Sequence, residues 1–287
     1  MNFKLIFLVL LSGQIFIIKP VTGQAMVQEP SAIEASNLYD QPYGSDKKQK
    51  MDIFLPANRN DSTRLMVIIH GGAWVRGDKS EFAPYVSALQ RLLPNYAFAN
   101  INYRLYRNGA NQFPAQEQDL QAAVRYLESR LGEFGISQKL VLLGASAGGH
   151  LALLQAYKNS ETQKPLAVIS FFGPTDLLDM YHNSPNPDAK PMLESLLGGS
   201  PSTSAEIYTN SSPVQFVNRE SPPTLLLQGG RDRLVNEYQA KILQNKLNTA
   251  GVINELRIYP EEGHGWSGPS LFDSFARITA FLKKNVK

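Results

Sequence analysis

The stretch that most constrains the fold is Leu140-Val141-Leu142-Leu143, running through Gly144-Ala145-Ser146-Ala147-Gly148-Gly149 into Leu151-Ala152-Leu153-Leu154. A short continuous apolar run bounded by glycine reads as a strand buried on both faces, and the apolar run after it reads as a helix. So little chain separates the two that it must turn sharply at Ser146. Gly144 and Gly148 let that turn close, because a side chain at either position would clash, and the serine hydroxyl is then presented at the strand tip. A Gly-x-Ser-x-Gly pentapeptide also arises by chance in glycine-containing loops, so the rest of the chain has to agree with it.

The agreement begins with alternation. Short β-rich runs at Met51 to Leu55, Leu65 to Ile69, Ala97 to Tyr103, Leu140 to Leu143, Ala167 to Phe172, Thr224 to Leu227 and Leu256 to Tyr259 are separated by helical patterns. The clearest helix begins at Phe113-Pro114 and carries Leu120, Val124, Leu127 and Leu131 as one apolar stripe. Others are expected over Asn236 to Leu247 and Phe272 to Lys284. Strands alternating with helices predict an α/β fold with a mostly parallel central sheet flanked by helices.

The first residues pair Lys4 with a mostly apolar stretch from Leu5 to Ile18, followed by small residues up to Gly23 and Ala25. This pattern predicts a signal peptide over residues 1–23 and a protein that is secreted or periplasmic. The alternative is anchoring to a membrane by that segment left uncleaved, although the apolar run falls short of the ~18 residues of a confident span. Residues 24–50 read as a polar N-terminal segment, and 51–287 as the catalytic domain. Net charge is only +3, with Lys4 and Lys19 supplying two of those charges. That balance gives no electrostatic reason to expect nucleic acid as a partner. With no cysteine in the chain, disulfides, thiolate metal sites and thiol nucleophiles are excluded.

A serine hydroxyl attacks only when a base takes its proton, and the base needs an orienting acid. The four histidines are at 70, 150, 182 and 264. His264 follows a strand in the glycine-rich Gly263-His264-Gly265-Trp266 loop and is the candidate base. His150 falls on the helix after the serine turn and is expected to pack beneath it, His70 to tie down its own loop, and His182 to sit in an exposed loop. For the acid, Asp232 stands just past a buried strand in Gln228-Gly229-Gly230-Arg231-Asp232, with Asp176 as the runner-up or else as a helix N-cap. Donors for a developing oxyanion are expected from the backbone of Gly71 and Gly72 and from the N–H of Ala147. The proline-rich stretch 174–223 is read as a small cap insertion over the site, with a plain excursion of the chain as the alternative.

These motifs together resemble the α/β-hydrolase superfamily, in its esterase/lipase branch of feruloyl- and acetyl-esterase-like and hormone-sensitive-lipase-like carboxylesterases. The resemblance covers roughly residues 50 to 285. It rests on Met51-Asp52-Ile53-Phe54-Leu55-Pro56, His70-Gly71-Gly72-Ala73-Trp74, Asn102-Tyr103-Arg104-Leu105, Phe113-Pro114-Ala115 with Asp119, the serine turn with Gly149-His150-Leu151, Phe172-Gly173-Pro174-Thr175-Asp176, and Gly263-His264. In that superfamily the triad follows the order serine, acid, histidine. The resemblance implies a serine carboxylesterase acting on small or medium acyl esters, including acyl groups on plant polysaccharides, with no metal and no cofactor. Its partner would be a small-molecule or carbohydrate-linked ester. Two features depart from the hormone-sensitive-lipase-like pattern: the oxyanion loop lacks a third glycine, and Ala145 stands where aspartate is usual. Both look more like the feruloyl-esterase-like and formamidase-like relatives, which leaves an arylformamidase-like amidase or a peptidase as the alternative enzyme and a catalytically silent binding protein as the alternative outside enzymes.

Overall fold

The computed structural model describes residues 33–159 and 164–286. The signal-peptide expectation for residues 1–23 lies outside the described residues. Eight strands form one sheet in the order β1-β2-β4-β3-β5-β6-β7-β8. They are β1 Ser36–Pro42, β2 Lys50–Leu55, β3 Arg64–Ile69, β4 Tyr96–Ile101, β5 Leu140–Ala145, β6 Ala167–Phe171, β7 Thr224–Gly229 and β8 Asn254–Tyr259. The first two strands pair antiparallel, as do β2 and β4, and every other pairing is parallel.

Alternation along the strands divides the core into two layers. In β3, Leu65, Val67 and Ile69 point into one layer, while Met66 and Ile68 point into the other, as a period of two requires. The second layer is closed by α1 (Ala83–Leu92) and α8 (Gly268–Asn285), through Val86, Leu89, Phe275, Ile278 and Phe281. The first is closed by α2 (Ala115–Phe134), α3 (Ala147–Tyr157) and α7 (Glu237–Thr249). The stripe of Leu120, Val124, Leu127 and Leu131 is buried along α2. Every residue of α3 is buried, His150 and Gln155 included, so this helix presents no side to solvent, as befits a helix through the middle of a core.

Two expectations need correction, and one helix has no counterpart among them. The segment 24–50 is not merely a polar leader to a domain starting at 51, because β1 lies within it and extends the sheet. An edge strand that buries none of its seven residues leaves no apolar signal to read. Helix α1 was not expected, since its buried face is only Val86 and Leu89. The stretch 174–223 folds as three short helices, α4 (Leu177–Asn183), α5 (Ala189–Leu197) and α6 (Ala205–Asn210). Their Leu177, Leu193, Leu196 and Tyr208 belong to the same apolar layer as α2 and α3. Thr175 is bonded to Gln239 of α7, and the Ser211 carbonyl accepts from His150 of α3, which fastens this stretch to the body of the fold.

Candidate active site

Ser146 stands between β5 and α3 with φ 53° and ψ −122°. A non-glycine residue in that region is strained, by roughly 1–3 kcal/mol. The turn is held by the Ser146 N–H, which donates to the Phe171 carbonyl at 2.8 Å, and by the His150 N–H, which donates to the Ser146 carbonyl at 3.0 Å. The glycines are required by space. A Cβ on Gly144 would lie 2.1 Å from the Gly148 carbonyl oxygen, and one on Gly148 would lie 2.2 Å from that of Ile69.

The structure brings Ser146, His264 and Asp232 together. The His264 Nε2 is 2.9 Å from the Ser146 Oγ, and its Nδ1 is 2.7 Å from the Asp232 Oδ2. A carboxylate can only accept, so Nδ1 carries the proton and Nε2 offers a lone pair to the serine hydroxyl. The acid is itself constrained. Its Oδ1 accepts the N–H groups of Leu234 at 2.8 Å and Val235 at 2.9 Å, and its Oδ2 accepts Gln228 Nε2 at 3.2 Å. The Asp232 side chain is 0% exposed, against 17% for His264, so the acid lies at the closed end of the site and the base faces its opening.

Asp176 is elsewhere in the chemistry. It caps α4, accepting the N–H groups of Leu178 and Asp179 at 3.0 Å each, which is the N-cap alternative for that residue.

The loop after β3 is built to aim its backbone. The Gly71 carbonyl accepts from His70 Nδ1 at 2.7 Å and from the Tyr103 hydroxyl at 3.3 Å, while the His70 and Tyr103 rings stack 4.3 Å apart. In a planar trans peptide the N–H points opposite the carbonyl. The Gly72 N–H is therefore directed away from Tyr103. Gly72 has φ +106°, and a Cβ there would meet the Arg76 carbonyl oxygen at 2.1 Å, so only glycine fits. Ala147 opens α3, and its N–H has no acceptor within the helix. Tyr103 itself is placed by the next residue: Arg104 forms an ion pair with Asp119, whose side chain is 1% exposed. That pair accounts physically for Asn102-Tyr103-Arg104-Leu105 and Asp119 occurring together.

His150 lies beneath the turn, with Nε2 donating to the Ser211 carbonyl at 2.7 Å, and His182 is exposed. Burial pushes the pKa of both His70 and His150 down to about 4. Between that value and an ordinary histidine pKa of ~6.5, the unfolded chain binds protons that the folded chain refuses. Stability therefore rises with pH through this window and is lost as pH falls through it. Each histidine contributes on the order of 3 kcal/mol to that loss. His150→Gln keeps a neutral donor near Nε2, so urea midpoints measured from pH 7 to pH 4.5 should fall less steeply in the variant. An identical slope would show that His150 is not an acid-labile point.

Ser146 and His264 open onto a cavity of about 410 Å³, lined by Gly71 and Gly72 and, deeper, by Ile68, Leu89, Leu143 and Phe275. Arg76 and Glu81 supply its charged lining, and both are exposed. The cavity thus runs beneath the sheet between α1 and α8. No residue of 174–223 lines it, so the expected cap over the site is corrected: that stretch buries its apolar side chains in the other layer of the core.

Sequence reasoning gave no part to Gln228, which steadies the acid, or to Phe172, whose ring lies 4.5 Å from that of His264. A polar residue ending the apolar run Leu225 to Leu227 was the available signal for Gln228. Phe172 opens the Phe172-Gly173-Pro174-Thr175-Asp176 motif, but nothing in the sequence marks its ring as a neighbour of the histidine.

A mostly parallel sheet with a serine turn after β5, an acid after β7 and a histidine after β8 defines the α/β-hydrolase fold. The model of the BD-FAE family matches residues 51–247, and the chain belongs to that family. Among curated relatives, it is 30% identical over 187 residues to a probable carboxylic ester hydrolase, LipM, of Mycobacterium tuberculosis, covering 60% of this chain and 42% of LipM. It is 24% identical to the isoprenylcysteine alpha-carbonyl methylesterase ICME of Arabidopsis thaliana, covering 77% of this chain and 55% of that protein. The chain spans about half the length of the curated relatives it matches. Its fold is similar to that of a bifunctional GH43-CE protein of Bacteroides eggerthii, with TM-score 0.76, 24% identity and coverage of 88% of this chain and 38% of that one. A truncated carbohydrate esterase from gut microbiota has TM-score 0.75 and 24% identity, with 88% and 97% covered.

Proposed function

We propose that this protein is a serine carboxylesterase in which Ser146 is the nucleophile, His264 the general base and Asp232 the orienting acid. The observation that carries this reading is the continuous relay from the Ser146 Oγ through His264 to a fully buried Asp232 at the mouth of an apolar cavity. The serine oxygen bonds to the ester carbonyl carbon while its proton passes to Nε2. The carbonyl oxygen becomes an oxyanion, received by backbone N–H groups of Gly71, Gly72 and Ala147. Asp232 stabilises the imidazolium, which then protonates the departing alcohol. Water, deprotonated by the same Nε2, attacks the acyl-enzyme, and the acid product leaves with the serine restored.

The substrate class is small or medium acyl esters, including those carried on carbohydrate. A cavity of about 410 Å³ is at the small end of the ~300–1,000 Å³ usual for ligand sites, and its deep wall is aliphatic and aromatic. Fold neighbours described as a carbohydrate esterase and as an acetyl ester-xyloside bifunctional hydrolase support the carbohydrate-linked version. The pattern of Lys4, Leu5 to Ile18 and Gly23 favours action outside the cytoplasm.

The test is a hydrolysis panel of nitrophenyl acyl esters of increasing length, methyl ferulate, acetylated xylan, emulsified triglyceride and formylkynurenine. Short acyl esters should give the highest kcat/KM. Preference for the emulsified long-chain substrate would overturn the substrate class, and a formamide hydrolysed faster than every ester would replace the esterase by an amidase.

A further inference from the structure

The serine, acid and base come from three separate segments, and two consecutive residues at the end of β6 touch the support of each. The Phe171 carbonyl accepts the Ser146 N–H at 2.8 Å. The Phe172 N–H donates at 2.7 Å to the carbonyl of Leu227, on the strand that runs on through Gln228 toward Asp232. The Phe172 ring lies 4.5 Å from the His264 imidazole, tilted by 57°. This phenylalanine has φ 40°, in the left-handed region that costs a residue with a Cβ roughly 1–2 kcal/mol. Glycine would adopt that backbone freely. A bulky side chain held there is an outlier, and such strain persists where the surroundings over-determine it. Here they are aromatic: Phe171 lies 6.1 Å and Trp266 5.3 Å from the Phe172 ring, and Trp266 is anchored through its Nε1 to the Ser274 hydroxyl at 2.9 Å.

His264 has need of such support. It occupies a tight turn in which the Gly265 N–H donates back to the Gly263 carbonyl at 3.0 Å, so its backbone belongs to no strand or helix. Asp232 and Ser146 hold the two ring nitrogens, which leaves the imidazole free to rock about the line joining them. A second ring packed at a tilt against the imidazole removes this freedom. We infer that Phe172 is a positioning residue for the base, its strained backbone aiming the ring that holds the His264 imidazole in line between Asp232 and Ser146. The inference rests on the catalytic reading above, and deepens it.

Phe172 also lines the cavity, so the test must separate positioning from substrate fit. Phe172→Ala removes the ring and keeps the strain, Phe172→Gly removes both, and Phe172→Leu restores an apolar cover. On a nitrophenyl acetate, the Ala and Gly variants should lose about 100-fold in kcat, the scale of a ~1 Å misplacement, with KM little changed and with Leu recovering most of the loss. The low-field NMR resonance of the proton between His264 and Asp232 should be sharp in the wild type and in Leu, and broadened in Ala and Gly. Wild-type kcat in the Ala variant, or an effect confined to KM and acyl preference, would overturn the inference by making Phe172 a cavity wall only. If the wild type hydrolyses no ester, the catalytic reading fails, while an unchanged resonance in the Ala variant separately rejects positioning.

Discussion

Ser146→Ala is expected to lower ester turnover by about 10⁴-fold or more while leaving the thermal midpoint close to that of the wild type. The hydroxyl forms the covalent bond, so nothing else in the cavity substitutes for it. The backbone at 146, by contrast, is fixed by contacts that alanine keeps. Its N–H still donates to the Phe171 carbonyl and its carbonyl still accepts from His150, and Gly144 and Gly148 still give the turn its room. The bond lost is the one to His264 Nε2 at 2.9 Å, at the open side of the site. A residual rate above the uncatalysed one should survive, because the donors for the oxyanion remain. The check is kcat on a short acyl ester beside a melting curve, with an organophosphonate probe and peptide mapping to locate the labelled residue. Near-native turnover in the alanine variant, or label on a residue other than Ser146, would dismiss the mechanism.

The parts of this molecule that were legible in the sequence are those where one local rule acts alone. Fully buried strands write themselves as apolar runs, so β3 to β7 are found within a residue or two. Helix α2 shows its stripe, and the serine turn announces itself through glycines that sterics demand. The pairing of Ser146, His264 and Asp232 follows from the order of loops at one end of a parallel sheet. What escaped depends on tertiary context. Strand β1 is an edge, and nothing about Ser36 to Pro42 repeats with a period of two. Helix α1 buries too little to stand out from its loop. The proline-rich character of 174–223 signals irregular chain but not its direction, and Thr175 and Ser211 settle that direction through bonds to α7 and α3. Phe172 escaped because a positive φ at a phenylalanine is imposed by neighbours distant in sequence.

Asp232→Asn should reduce turnover by about 10⁴-fold, whereas Asp176→Asn should change it little. In the native site, Oδ1 of Asp232 accepts two backbone N–H groups, from Leu234 and Val235. An asparagine there must keep its carbonyl oxygen toward those donors, since the amide nitrogen cannot accept. The NH₂ group then occupies the place of Oδ2, facing His264 Nδ1 and Gln228 Nε2. Two donors now confront each other across the Nδ1 contact. Relief comes when His264 gives up the Nδ1 proton and carries it on Nε2 instead. That tautomer turns an N–H toward the serine oxygen, so it holds Ser146 as an acceptor and has no lone pair with which to take its proton. Geometry is preserved and chemistry is lost, which is why the loss should appear in kcat far more than in KM. At Asp176 the same change is mild, because asparagine caps a helix about as well as aspartate, and the Leu178 and Asp179 N–H groups keep their acceptor. Measuring both variants on one short ester decides between the two carboxylates. A large loss at Asp176 with little at Asp232 would mean that the acid working on His264 is not the one it touches in this structure.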